Sequence, residues 1–113
     1  MILRFAGVTE LVFNEKDNGG LVQVPRGSKV TVELPENPAT GHRWKIDSID
    51  ELFLVPEGDI FLTGHQVGYG AGGVRKFFYR ARGSGCTSLT FTQRCALKSA
   101  AIGSYKLVVQ IVK

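Results

Sequence analysis

Apolar and polar residues alternate with a period of two through much of this chain, and no stretch keeps a 3.6-residue apolar period over the length of an ordinary helix. In Lys29–Leu34, Val30, Val32 and Leu34 fall on one face and Thr31 and Glu33 on the other, the pattern of a half-buried strand. Val74–Arg82 puts Phe77, Tyr79 and Ala81 on one face and Lys76, Phe78, Arg80 and Arg82 on the other. Leu89 pairs with Phe91 in the same way, and Tyr105, Leu107, Val109 and Ile111 keep register near the C-terminus. Trp44 and Ile46 alternate with Lys45 and Asp47, which makes Trp44 a core anchor. Glu10–Asn14, Leu21–Val24 and Ile60–Leu62 are shorter β-prone runs, and Met1–Phe5 is a short strand or a frayed end. Turn signals separate these runs at Asn18-Gly19-Gly20, Pro25-Arg26-Gly27, Pro56-Glu57-Gly58-Asp59 and Gly83-Ser84-Gly85. Residues 49–55 are less regular and have room for one helical turn. Seven or eight strands so spaced predict an all-β antiparallel sandwich, with a small barrel as the runner-up.

Three longer connections, at 35–42, 63–73 and 94–103, are separated by pairs of strands or their equivalent. In a sandwich they can meet at one edge, where binding loops sit. The first contains Asn37-Pro38-Ala39-Thr40-Gly41. Pro35 and Pro38 fix two φ angles and remove two backbone donors. Pro38 keeps Asn37 out of the helical region, and Gly41 allows a positive φ. This is a preshaped loop. The second carries five glycines, Gly64, Gly68, Gly70, Gly72 and Gly73, which let backbone lie close against a partner.

The 113 residues suffice for one domain, 1–113, with one core. Apolar content is 43%, ordinary for a globular chain. A net charge of +4 with no block of like charges implies no charged tail and does not require nucleic acid. Cys86 and Cys95, if on one strand, stand roughly 30 Å apart, too far for a bridge, so free thiols are expected. No apolar run is long enough to span a membrane. The N-terminus lacks the pattern of a signal peptide, which leaves a cytoplasmic chain or one whose signal peptide preceded Met1.

Several chemistries can be set aside. Gly68-Tyr69-Gly70-Ala71-Gly72-Gly73 matches G-x-G-x-x-G, but a dinucleotide site needs a helix after it, and Val74–Tyr79 reads as a strand. Arg75, Lys76, Arg80 and Arg82 with Phe77, Phe78 and Tyr79 resemble an RNA-stacking strand, yet Phe77 and Tyr79 belong to the core face. Cys86, Cys95, His42 and His65 have neither the spacing of metal ligands nor a nucleophile signature, so no enzyme, metal or cofactor is expected.

Asn37-Pro38-Ala39-Thr40-Gly41 followed by Trp44, then Gly70-Ala71-Gly72-Gly73, then strand, turn and strand, resembles the chagasin-like inhibitors of papain-family cysteine peptidases. In that family the first loop reads N-P-x-T-G with a tryptophan soon after, the second ends in G-x-x-G or G-A-G-G, and the third carries R-P-W. The match runs from about Leu11 to Val112. It implies an immunoglobulin-like β-sandwich and a reversible, noncovalent, monomeric inhibitor. Three loops would form a wedge in the cleft of a papain-family peptidase. Asn37, Pro38, Ala39, Thr40 and Gly41 would lie over the catalytic cysteine. Gly70, Ala71, Gly72 and Gly73 would follow the unprimed side in the manner of an added strand.

The third loop departs from the pattern. Arg94 remains, but Cys95 and Ala96 stand where proline and tryptophan are expected. A buried interface tryptophan is worth about 2 kcal/mol, roughly thirtyfold in affinity. The departure keeps open a second reading, a β-sandwich protein-binding module of the same fold with a changed target. A basic nucleic-acid-binding domain ranks below both.

Overall fold

The computed structural model describes residues 2–5, 8–37, 41–63, 72–95 and 101–113. They form β1 (Ile2–Phe5), β2 (Val8–Phe13), a 3-10 turn (Glu15–Asp17), β3 (Leu21–Pro25), β4 (Lys29–Glu36), β5 (His42–Ser48), β6 (Leu54–Thr63), β7 (Gly73–Ala81), β8 (Gly85–Cys95) and β9 (Ala101–Val112). One sheet has the order β1-β2-β4-β7-β6 and the other β3-β9-β8-β5. The all-β sandwich expected from the alternation is what forms. Beside the expected strands, Met1–Phe5 takes the first of its two alternatives, a short edge strand β1 paired to β2.

The sheets are mixed rather than wholly antiparallel. Every connection reverses the chain, so strands separated by an even number of connections run the same way. β2 beside β4 and β3 beside β9 are such pairs, and both are parallel. The remaining pairs are antiparallel. The same rule sends alternate connections to opposite ends of the sandwich.

The inner faces are those the alternation predicts. Val30, Val32, Leu34, Phe77, Tyr79, Ala81, Leu89, Phe91, Tyr105, Leu107, Val109 and Ile111 are all buried. Phe91 joins the layers: its ring centroid lies 4.7 Å from that of Phe77 in the facing sheet and 6.0 Å from that of Tyr105 beside it. Trp44 and Ile46 pack against this core while remaining partly exposed.

Two local expectations need correction. Pro56–Asp59 is not a turn. It lies within β6, where the register slips between Pro56 and Gly58. β6 is an edge strand, so a proline without a donor and a bulge are tolerated there. Thr31, expected on a solvated face, is buried. β4 is internal to its sheet, Val12 and Phe78 flank Thr31 in register, and its hydroxyl bonds Glu10. The irregular stretch 49–53 makes the one turn it has room for, closed by the Phe53 and Leu54 amides on the Asp50 carbonyl, the latter bond spaced as in a helical turn.

Candidate functional site

The three long connections leave from one end of the sandwich. In the first sheet Glu36, Gly73 and Thr63 are in register, so β4 ends, β7 begins and β6 ends side by side. In the second, His42 pairs with Cys95 and Arg94 with Ala101, so β5 begins, β8 ends and β9 begins together. The connections are therefore 37–41, 64–72 and 96–100. Of the residues expected in the site, Asn37, Gly41, Gly72, Gly73 and Arg94 are placed at this end. Pro38, Ala39, Thr40, Gly70 and Ala71 lie outside the described residues. Arg94, expected in a loop, sits within β8.

Two glycines are required here. Gly41 has φ +77°, a conformation that L side chains rarely adopt. A Cβ on Gly73 would overlap the Leu62 carbonyl oxygen and crowd the Phe61 ring. Gly73 thus lets β7 start hard against the end of β6. Asn37 lies against Gly72, and Cys95 against Gly41, so the stems of the first connection touch those of the other two.

Beneath the loops the inner layer turns from apolar to polar. Glu36 has a wholly buried side chain. Its Oε1 accepts the Trp44 backbone N–H at 2.8 Å, from β5 of the opposite sheet. Its Oε2 accepts Arg75 Nε at 3.1 Å and Nη2 at 2.9 Å. Arg75 also donates through Nη1 to Asp59 Oδ2 at 2.8 Å and lies over the Phe61 ring. The Trp44 indole N–H donates to the Pro35 carbonyl at 2.8 Å. These bonds tie both stems of the first connection to each other and to both stems of the second. Burial alone would lower the Arg75 pKa, but its bonds to Glu36 and Asp59 and their charges outweigh that and hold it above its ordinary value. Among the described residues no buried side-chain nitrogen or oxygen lacks a partner.

Glu36 and Arg75 are not among the expected site residues, yet their signal is present in the alternation. Val30, Val32 and Leu34 set the inward parity of β4, and Glu36 continues it. Phe77, Tyr79 and Ala81 set that of β7, and Arg75 precedes them on the same face. An acid and a base on inward positions of neighbouring strands are expected to meet.

A second set of bonds holds the 14–20 connection, which lies at the same end. Asn14 and Asp17 form a capping box around the 3-10 turn. The Tyr105 hydroxyl donates to the Asn14 carbonyl at 2.9 Å, and the Lys106 backbone N–H to Asn18 Oδ1 at 2.9 Å. Burial, with the charge of Asp17 second, raises the Tyr105 pKa above its ordinary value.

Cys86 and Cys95 are free thiols on one strand, as expected. Among the described residues no group of His, Cys, Asp and Glu could hold a metal ion, and no helix is long and apolar enough to cross a membrane. The basic residues of β7 that resembled an RNA-binding strand are neutralised: Arg75 by Glu36 and Asp59, Lys76 by Glu33, and Arg80 by Glu57.

No curated protein matches the chain by sequence. Among solved structures it is similar to the cysteine protease inhibitor EhICP2 from Entamoeba histolytica, with a TM-score of 0.78 at 15% identity, covering 91% of this chain and 95% of that one. Amebosin is similar with a TM-score of 0.73 at 20% identity, covering 89% and 96%. PbICP-C, solved in complex with falcipain-2, gives 0.55 at 9% identity, covering 91% and 89%. These likenesses show a shared fold. Residues 23–109 match the family described as chagasin family peptidase inhibitor I42. That span holds β4 to β8, most of β9 and the three clustered connections, and by it the chain belongs to the chagasin family, whose members are peptidase inhibitors and not enzymes.

Proposed function

We propose that this chain inhibits papain-like cysteine peptidases reversibly and noncovalently, acting as one domain through loops 36–42, 66–73 and 93–99. The observation that carries the reading is the clustering of three connections at one end of a sandwich of this family, over a buried polar clamp. EhICP2 is described as a cysteine protease inhibitor, and PbICP-C was solved with falcipain-2, which supports a cysteine peptidase as the partner.

Asn37, Pro38, Ala39, Thr40 and Gly41 are assigned to the catalytic cysteine, Gly70, Ala71, Gly72 and Gly73 to the unprimed side, and Arg94 to the third contact. The physics favours such a wedge. A loop stiffened by two prolines and clamped at both stems has little conformational entropy left to lose on binding. A glycine-rich segment can offer its backbone to an extended partner. No metal or cofactor takes part.

The test compares wild type with Thr40→Asp against papain and a cathepsin L-type enzyme. The charge would be desolvated without a partner in the cleft, so the inhibition constant should rise at least about 100-fold. An unchanged constant in a folded variant would remove this loop from the interface.

A further inference from the structure

Gly73 opens a gap in the inner face of the first sheet at the loop-bearing end. β4, β7 and β6 bring Glu36, Gly73 and Thr63 into one row, and Leu34, Arg75 and Phe61 into the next. With no side chain at Gly73, the Phe61 ring reaches diagonally into that place: a Cβ on Gly73 would fall 2.8 Å from the ring. A strand glycine packs nothing of its own, and a diagonal aromatic on the neighbouring strand supplies the missing cover. The ring also meets Arg75, whose guanidinium carbon lies 5.4 Å from its centroid. Arg75 is in turn held by Glu36 and Asp59. A continuous run of contacts therefore leads from Glu36, in a stem of the first connection, through Arg75 and Phe61 to Gly73, in a stem of the second.

The hydrophobic core does not account for this ring. Among the described residues, the partly buried apolar side chains packed on the core are Val22, Trp44, Ile46, Ile49 and Phe53, and Phe61 is not one of them. The opposite end offers a contrast. There the Phe53 ring covers Gly85, 2.9 Å from where its Cβ would stand, but Phe53 also packs on the core. One aromatic closes a glycine gap as part of the core. The other closes one only at the stems of a connection.

We propose that Phe61 is a positioning residue for the second connection, its ring joining Gly73 to the Arg75–Glu36 clamp and so fixing where 64–72 leaves β6 and re-enters β7. The proposal rests on the inhibitor reading and deepens it. Phe61 stands two residues before the end of β6, and Gly73 begins β7. A ring that holds both stems lowers the entropy the connection loses on binding, and that gain is read mainly in the dissociation rate.

The test measures dissociation of wild type, Phe61→Leu, Phe61→Tyr and Phe53→Leu from papain and a cathepsin L-type enzyme, beside the melting temperature of each. Phe61→Leu keeps apolar bulk but loses the flat ring over Gly73 and under Arg75. It should dissociate about tenfold faster, with a smaller drop in melting temperature than Phe53→Leu. Phe61→Tyr should restore the wild-type rate. Phe53→Leu should melt earlier and dissociate like wild type. A second readout needs no target enzyme: chymotrypsin cleavage after Tyr69, followed by mass, should quicken in Phe61→Leu and not in Phe53→Leu. Equal dissociation rates for the two leucine variants, or Tyr69 cleavage unchanged by Phe61→Leu, overturn the proposal and leave the inhibitor reading standing. Failure of folded wild type to inhibit either enzyme overturns the inhibitor reading, and the Tyr69 cleavage rates then decide the positioning role by themselves.

Discussion

The two ends of this sandwich are built by different means. At the end holding the 26–28, 49–53 and 82–84 connections, main chain bonds main chain. Gly27 N–H donates to the Ala81 carbonyl at 2.8 Å, Ala81 N–H to the Ser28 carbonyl at 3.0 Å, and Arg82 N–H to the Phe53 carbonyl at 2.7 Å. At the loop-bearing end main chain ties only the 14–20 connection among the described residues, Gly19 N–H to the Lys106 carbonyl at 2.7 Å and Val108 N–H to the Gly20 carbonyl at 3.0 Å, and side chains hold the rest. Glu36, Arg75 and Trp44 tie the stems of two connections, and Asn18 and Tyr105 tie a third to β9. A turn whose backbone is consumed internally has little to offer a partner. Stems held by side chains fix where the connections leave the two sheets. Under the proposed function, rigidity beneath the loops would lower the entropy lost on association.

The comparison breaks if stability and inhibition respond alike at both ends. Leu54 is fully buried at the start of β6, at the end away from the loops. Leu54→Ala should cost about 3 kcal/mol in denaturant unfolding and leave the inhibition constant of the folded protein unchanged. Glu36→Ala should cost less, about 2 kcal/mol, because Arg75 keeps Asp59 and is partly exposed. Yet it should weaken inhibition about tenfold or more, since the stems of the first connection then keep only the Trp44–Pro35 bond between them and lose the tie to β7. If Leu54→Ala weakens inhibition as much as Glu36→Ala does, the clamp has no special role.

Tyr105→Phe removes one hydroxyl bond and should cost about 1 kcal/mol. The same residue sharpens the comparison through pH. Burial, with nearby charges second, raises the pKa of both Tyr79 and Tyr105 above the ordinary value of 10.0. For an acid so raised, the stabilisation is fully present below the unfolded value and is lost as pH climbs through and beyond it. The melting temperature should therefore hold steady to about pH 9 and fall above about pH 10. Tyr105→Phe should show a shallower alkaline fall. An identical fall in both proteins would mean that Tyr105 does not carry it.

Much of the fold was legible because alternation reports directly on which face is buried. The even positions of β4 and the odd positions of β7 and β9 needed no tertiary information. Pro56–Asp59 misled because proline and glycine signal turns locally, while their tolerance in β6 follows from its edge position, a property of the whole sheet. Glu36 was overlooked because a charged residue between two prolines looks like loop, and its partner Arg75 lies 39 residues away. The placement of the three connections was legible from strand pairing alone. Arg94 in a strand was not, because it follows from pairing with Arg43 across β5, and Ile102 on a bulge was not, because it depends on a register slip between β8 and β9.

The central claim is that the loop-bearing end blocks a cysteine peptidase without being cut. The most direct measurement is titration of active-site-counted papain and a cathepsin L-type enzyme with the purified chain, followed by the mass of the chain after long incubation. The account predicts loss of activity at one chain per active site, with the chain intact. A folded sample that leaves both enzymes active at micromolar concentration, or one cleaved within the 36–42 connection as activity returns, would contradict it.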